Sequence, residues 1–217
     1  MNRATLLAAS LIAAAAAVGL WAYAVLPPDA PVAVHFSVTG EADGFMPKGP
    51  GLALLPAIGA LVVAALTLAP RLYRRDAGLA ASADVLGVVL IGVAAIFLVS
   101  EAALAKRAMD PGFDVIRWLF VAIGILLLIT GNLLGKVRHN FFFGVRTPWT
   151  MRDKRVWDRT QRFTGRLMVL AGCVLAAVAA LSADHRLLIS ALIVCAAGPG
   201  LAGVAYSRAI YHPAPQA

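Results

Sequence analysis

The sequence predicts an all-α membrane protein, a polytopic bundle of about six transmembrane helices. A short outer loop carrying a strand and an amphipathic interfacial helix on the cytoplasmic side complete the expected fold class. Three observations predict it. Apolar runs of about 20 residues recur along the chain, each about 30 Å long as a helix and able to cross a bilayer core. Only 14% of residues are charged and mean hydropathy is +0.83, whereas soluble domains carry roughly 25% charged residues. Finally, Lys and Arg sort by loop: 14 of the 19 fall on the side of both termini and four on the other, with Arg117 just inside the fourth span. The positive-inside rule then puts both termini in the cytoplasm of a cell-membrane protein. The net charge of +8 therefore reports orientation before partner choice, and no direct nucleic-acid binding is expected.

The spans fall at 4–26, 51–69, 79–100, 115–134, 167–181 and 187–206, and their connections leave no room for a soluble domain. Met1-Asn2-Arg3, the first run and Ala22-Tyr23-Ala24 also resemble a signal peptide. The run is long enough to span, and Trp21 and Tyr23 suit an interfacial belt, so an uncleaved first helix is the better reading. In the outer loop, 27–50, the alternation of Val32, Val34, Phe36 and Val38 suits a strand, and Gly40 and Asp43-Gly44 mark turns. His35, Glu41 and Asp43 could gather around a metal ion. Without a Cys or second His at ligand spacing, a polar turn is the better account, and no metal or cofactor is expected.

Span two carries Pro56 near its start, and Arg71, Arg74 and Arg75 follow it as a stop-transfer cluster. Asp84 and Glu101 read as hydrated end-of-helix charges at the two ends of span three. Asn132 is placed to bind a loop carbonyl or another helix. Gly198-Pro199-Gly200 is expected to kink or break span six near mid-membrane. Cys173 and Cys195 lie inside spans without a C-x-x-C, as helix-packing residues.

The long loop at 135–166 is the most distinctive stretch. Nine Lys/Arg against Asp153 and Asp158 leave +7 on it. Phe141-Phe142-Phe143-Gly144 is too apolar for water and is expected to pack under the bundle. Thr147-Pro148 or Thr150 then starts a helix, with Thr150 and Asp153 approximating a capping box. On a helical wheel Trp149, Val156, Thr160, Phe163 and Leu167 share one sector. Arg152, Arg155, Arg159, Arg162 and Arg166 form a stripe about 100° away. Such a helix suits the headgroup layer, with arginines reaching anionic lipid of the inner leaflet. The stripe is equally a docking surface for an acidic cytosolic partner.

The runs Gly131-Asn132, Asn140 to Thr150 (NFFFGVRTPWT), Val156-Trp157 and Arg162-Phe163-Thr164-Gly165 closely resemble the SdpI family. Gln161 stands where a His is common in the family. The segment 31–44 is similar to an uncharacterised extracytoplasmic domain that often precedes SdpI-like regions. The resemblance implies an N-terminal membrane region, 1–114, followed by an SdpI-like membrane region, 115–217. It further implies immunity to a secreted toxic peptide, and signalling by holding a soluble regulator at the membrane.

On this reading the protein is a non-enzymatic immunity or signal-transducing membrane protein. Arg146 and Trp149 fix the inner loop, with Asn132, Asn140 and Thr147 as polar ties. Arg152, Arg155, Trp157, Arg159 and Arg162 dock the partner or lipid. The alternative is a small transporter or lipid-handling protein built on a broken sixth helix and Asn132. An enzyme is disfavoured: no Ser/His/Asp set, metal cluster or phosphate-binding loop occurs at useful spacing, and His35 and His139 fall on opposite sides of the membrane.

Overall fold

The computed structural model describes residues 2–73 and 75–212; Arg74 of the expected stop-transfer cluster and Met1 of the signal-like segment lie outside the described residues. Among the described residues six helices are long and apolar enough to cross a membrane, and a two-stranded hairpin joins the first two. Helix α1 (Arg3–Val25) starts on Asn2, whose Oδ1 accepts the Thr5 N–H at 2.9 Å and satisfies one of the helix's orphan donors. It stops at Leu26, directly before Pro27-Pro28.

Strands β1 (Pro31–Phe36) and β2 (Ala42–Pro47) pair antiparallel, with Val32 opposite Met46 and a register irregularity around His35. Asp43-Gly44 therefore lies within a strand, where a turn was expected. The turn is made around Gly40, the other expected turn position, at φ +83°. Val32 packs onto Gly51, so the hairpin is seated on the first turn of α2 (Lys48–Leu68). Lys48 donates from Nζ to the carbonyls of Tyr23 at 3.2 Å and Leu26 at 3.0 Å, answering carbonyls that the end of α1 leaves open.

A 3-10 turn (Ala69–Tyr73) and the short α3 (Ala77–Ala80) lead into α4 (Ala83–Met109), which runs well past the expected end of the third span. Next come α5 (Val115–Leu134), the short α6 (Pro148–Arg152), α7 (Lys154–Leu181) and α8 (His185–Ala209). Helices α1, α2 and α4 pack together around Ala8, Ile12, Val63, Leu90 and Ala94. Helices α5, α7 and α8 form a second group around Phe120, Leu175, Leu188 and Cys195, and α4 joins α5 to link the two. Large apolar side chains such as Leu61, Leu181 and Leu201 point outward, as a surface bathed in lipid tails requires.

The tightest contact is between α5 and α7, which run antiparallel. Glycines seven residues apart on each helix meet in pairs: Gly131 with Gly165, and Gly124 with Gly172. A Cβ on Gly131 or Gly124 would stand 2.8 Å from the opposite glycine's carbonyl oxygen, so the backbones themselves touch. Helix α8, in contrast, is continuous through the buried Pro199, and a Cβ at Gly198 or Gly200 would meet nothing within 4 Å. The expected break in the sixth span is absent.

Replacing Gly165 with Leu is expected to lower the thermal unfolding midpoint in detergent, at a cost of about 1–3 kcal/mol or more. Gly198→Ala, which meets open space, should leave the midpoint unchanged or raise it slightly.

Candidate functional site

The basic, aromatic loop between α5 and α7 is folded rather than loose, and polar side chains hold its backbone. Trp157, on the first turns of α7, is fully buried and donates from Nε1 to the Val137 carbonyl at 3.0 Å. His139 lies against its edge, with ring centroids 5.0 Å apart. Asn140 is also buried. Its Oδ1 accepts the N–H groups of Phe142 and Phe143 at 2.7 and 2.9 Å, and its Nδ2 donates to the Arg138 carbonyl at 2.7 Å. One side chain thereby turns the chain through the triple-phenylalanine run, leaving Phe141 exposed and Phe143 packed beside Trp157.

Gly144 follows at φ +109°, a left-handed conformation suited to glycine, with Gln161 and Trp157 pressed onto it. Gln161 then clasps the next residue with both ends of its amide. Oε1 accepts the Val145 N–H at 3.0 Å and Nε2 donates to the Val145 carbonyl at 3.1 Å. Thr147 caps α6 and forms the capping box with Thr150, so the box lies three residues earlier than the expected Thr150–Asp153 pairing. Asp153 instead caps α7, accepting the N–H groups of Arg155 and Val156. The Thr147 hydroxyl reaches Ser207 of α8 at 3.0 Å, tying the loop to the last helix.

From the other group of helices, Asp76 and Ser82 hold the same loop. Asp76 accepts the Phe141 N–H at 2.9 Å and the Leu79 N–H at 3.0 Å; Ser82 accepts the Arg138 N–H at 2.9 Å. Burial works against the Asp76 charge. The N–H groups of Phe141, Leu79 and Gly78, with His139 nearby, outweigh it and hold the carboxyl below its ordinary value of 3.8.

The arginines lie on the outside of this clasp. Arg152, Arg155, Arg159, Arg162 and Arg166 are all exposed, and none forms a salt bridge among the described residues. Four of them run along the first turns of α7, which continues directly into the fifth span. The basic stretch is thus the extended end of a spanning helix, not a separate helix lying in the membrane plane. Asp153 breaks the chain between α6 and α7, so Trp149 leaves the predicted sector; it is half-buried, with the Arg208 guanidinium 5.9 Å from its ring centroid. Arg146 is exposed and donates to the Phe141 carbonyl.

Several expected roles change. Trp157 cannot dock a partner, because it is enclosed in the loop's core. Asn132 is exposed on α5 and makes no side-chain hydrogen bond among the described residues, so Asn140 and Thr147 are the loop ties and Asn132 is not. Asn132 lies outside and α8 is unbroken, so these two features do not come together as a polar core. Sequence reasoning missed the clasp by Gln161. The signal was present in Thr160, Gln161 and Thr164, three polar residues on one face that the structure buries completely or nearly so.

At the opposite end, His35 pairs with Asp43 at 2.5 Å across the hairpin, and Glu41 is exposed. Among the described residues no three His, Cys, Asp or Glu side chains converge as a metal site. The hairpin tip rests on the second helical group: Gly40 packs against the His185 ring, and His185 Nε2 lies 3.1 Å from Asp114, the cap of α5. Beside it Arg117 donates to the Ala179 and Ala180 carbonyls at the end of α7.

Comparison with known proteins places both regions. Residues 136–207, holding the loop clasp, the arginine stripe, α7 and most of α8, match the model of the SdpI/YfhL protein family. Residues 10–60, holding the hairpin, match a domain of unknown function (DUF1648). The chain is 33% identical to Immunity protein SdpI of Bacillus subtilis (strain 168) over 92 residues, 42% of this chain and 42% of that protein. It is 30% identical to Uncharacterized protein YfhL of the same organism over 77 residues, 34% of this chain and 70% of that protein. The chain thus spans less than half of the immunity protein's length. No solved structure matches.

Gln161→Leu is expected to strip the Val145 N–H of its partner, at about 1–3 kcal/mol, leaving the Val145 carbonyl to the Thr150 hydroxyl alone, and to expose the segment around Phe141–Val145 to limited proteolysis. The Asp76 contribution has a defined pH sign. It is present above the unfolded pKa and is lost as pH falls through the lowered native value. Protection of the Phe141 amide against exchange, measured relative to its intrinsic rate at each pH, should therefore fall on acidification, and in Asp76→Asn it should be low already at neutral pH.

Proposed function

This chain belongs to the SdpI/YfhL protein family, and from that premise we propose that it is a multi-pass membrane protein conferring immunity to an extracytoplasmic toxic peptide. The hairpin end faces outward and the arginine-rich end faces the cytoplasm, the orientation that the distribution of Lys and Arg favours. The hairpin and the Gly40–His185–Asp114 joint form the surface that meets the peptide. The clasped loop engages a soluble regulator through Arg152, Arg155 and Arg159, with anionic headgroups around the rim.

One observation carries this reading. The loop spends its buried polar groups on holding its own backbone, yet leaves its arginines outside without salt-bridge partners. A segment needed only as a linker has no use for such preorganisation. A rigid row of guanidinium groups lowers the ordering cost of binding an acidic surface. The immunity role rests on the likeness to Immunity protein SdpI over 92 residues.

The test has two arms. Cells challenged with a secreted toxic peptide should survive when they express this chain, and a chain that never protects sinks the immunity role. A photo-crosslinker at Arg155 should recover a cytosolic protein, with capture on the order of a hundredfold weaker once Arg152, Arg155 and Arg159 are all replaced by Glu. Recovery of anionic lipid alone would make the stripe a membrane anchor and remove the docking role.

A further inference from the structure

Glu101 is fully buried, although its position near a helix end suggested a hydrated interface. It lies on α4 one turn before Ala105 and faces α1 and α2. Neither carboxyl oxygen has a hydrogen-bond partner among the described residues. Ala22, Leu26, Val32, Leu52 and Ala105 form an apolar cluster one turn further out, so the hairpin residue Val32 helps to seal the group from water.

Two local features make this arrangement specific. Glu101 Oε1 lies 2.7 Å from the point where a Cβ on Gly19 would sit, and the Leu52 carbonyl oxygen lies 2.9 Å from that same point. A glycine at position 19 is what lets both oxygens approach α1. The Leu52 carbonyl is also short of a donor. Its α-helical partner would be the N–H four residues on, and that residue is Pro56, which has none. Two acceptors without donors therefore crowd one dry spot.

An unsatisfied buried acceptor costs about 1–3 kcal/mol, and an unpaired carboxylate costs far more. One proton on Glu101 removes both penalties, because the resulting O–H donates to the open carbonyl. We propose that Glu101, the Leu52 carbonyl and the gap at Gly19 form a proton-binding site within the membrane, the bound proton completing an O–H···O=C bond from α4 to α2.

The surrounding charged and titratable groups are engaged elsewhere. Lys48 of α2 is held by the Tyr23 and Leu26 carbonyls and lies over the Tyr23 ring of α1 at 4.5 Å. His35 of the hairpin pairs with Asp43. On α4 itself, Lys106 pairs with Asp110 and Arg107 donates to the Phe113 carbonyl. On α5, Asp114 is held by His185, and Arg117 by the end of α7. None of them bonds Glu101. The site stands on this geometry and is independent of the immunity reading.

The chain's composition makes the test direct, because Glu41 and Glu101 are its only glutamates. Isotopic labelling of the glutamate carboxyl carbon therefore marks one exposed and one buried group, read by nuclear magnetic resonance on the full chain in bilayers. At about pH 7, Glu41 should give a carboxylate signal and Glu101 a protonated carboxyl signal that Glu101→Gln abolishes. Should that variant fail to fold, Glu41→Gln assigns the remaining signal. Pro56→Ala returns an N–H to the Leu52 carbonyl and should shift the Glu101 signal. Two carboxylate signals in the unaltered protein, or a protonated signal indifferent to Pro56→Ala, would overturn the proposal.

Discussion

The direct backbone contact of α5 with α7 is the constraint on which the rest of the structure depends. Lipid tails are as apolar as leucine, so two helices in a membrane gain little from burying oily side chains and must gain from close packing. Two glycines on each helix, a heptad apart, let the backbones meet at two levels. Arg117 fixes the pair at one end by donating to the closing carbonyls of α7. At the other end, the closeness of α5 and α7 sets the span that the connecting loop must close. Trp157 and Gln161 then stand at the right height to seize Val137 and Val145. A wider separation would leave those side chains short of the backbone groups they satisfy.

Helix α8 completes the unit. It carries His185 at the hairpin end and Ser207 at the loop end, and it is continuous between them. The hairpin tip and the loop clasp thus rest on opposite ends of one rod. Nearly all of the region matched by the family model belongs to this unit, whereas the hairpin comes from the other group of helices and reaches across to it.

The six spans were legible because a run of about 20 apolar residues has one structural solution in a bilayer. Strand β1 was legible from its alternation, but β2 was not, since Asp43-Gly44 carries turn chemistry and only pairing with β1 makes it extended. Of the candidate site, Asn140 and Thr147 do hydrogen-bond within and beyond the loop, and the arginines of the stripe are exposed. Trp157 and Gln161 were not legible, because a wheel assigns faces by hydrophobicity, and here the buried face is chosen by backbone groups of a loop 16 to 20 residues away in sequence. Glu101 failed for the same reason. Its depth depends on Gly19 and Pro56, which lie on two other helices and carry no signal until the three are brought together.

The contact of Gly40 with His185 has a consequence for biosynthesis. The hairpin emerges early, yet the ring it rests on is made more than a hundred residues later. At ribosomal speeds of about 5–20 residues per second, the first three spans wait on the order of ten seconds before that surface exists. During that interval the hairpin tip lacks its support, and insertion of α7 and α8 is the event that seats it. A chain truncated before the last two helices would therefore present an unseated tip, giving quality-control proteases a local mark of incomplete assembly.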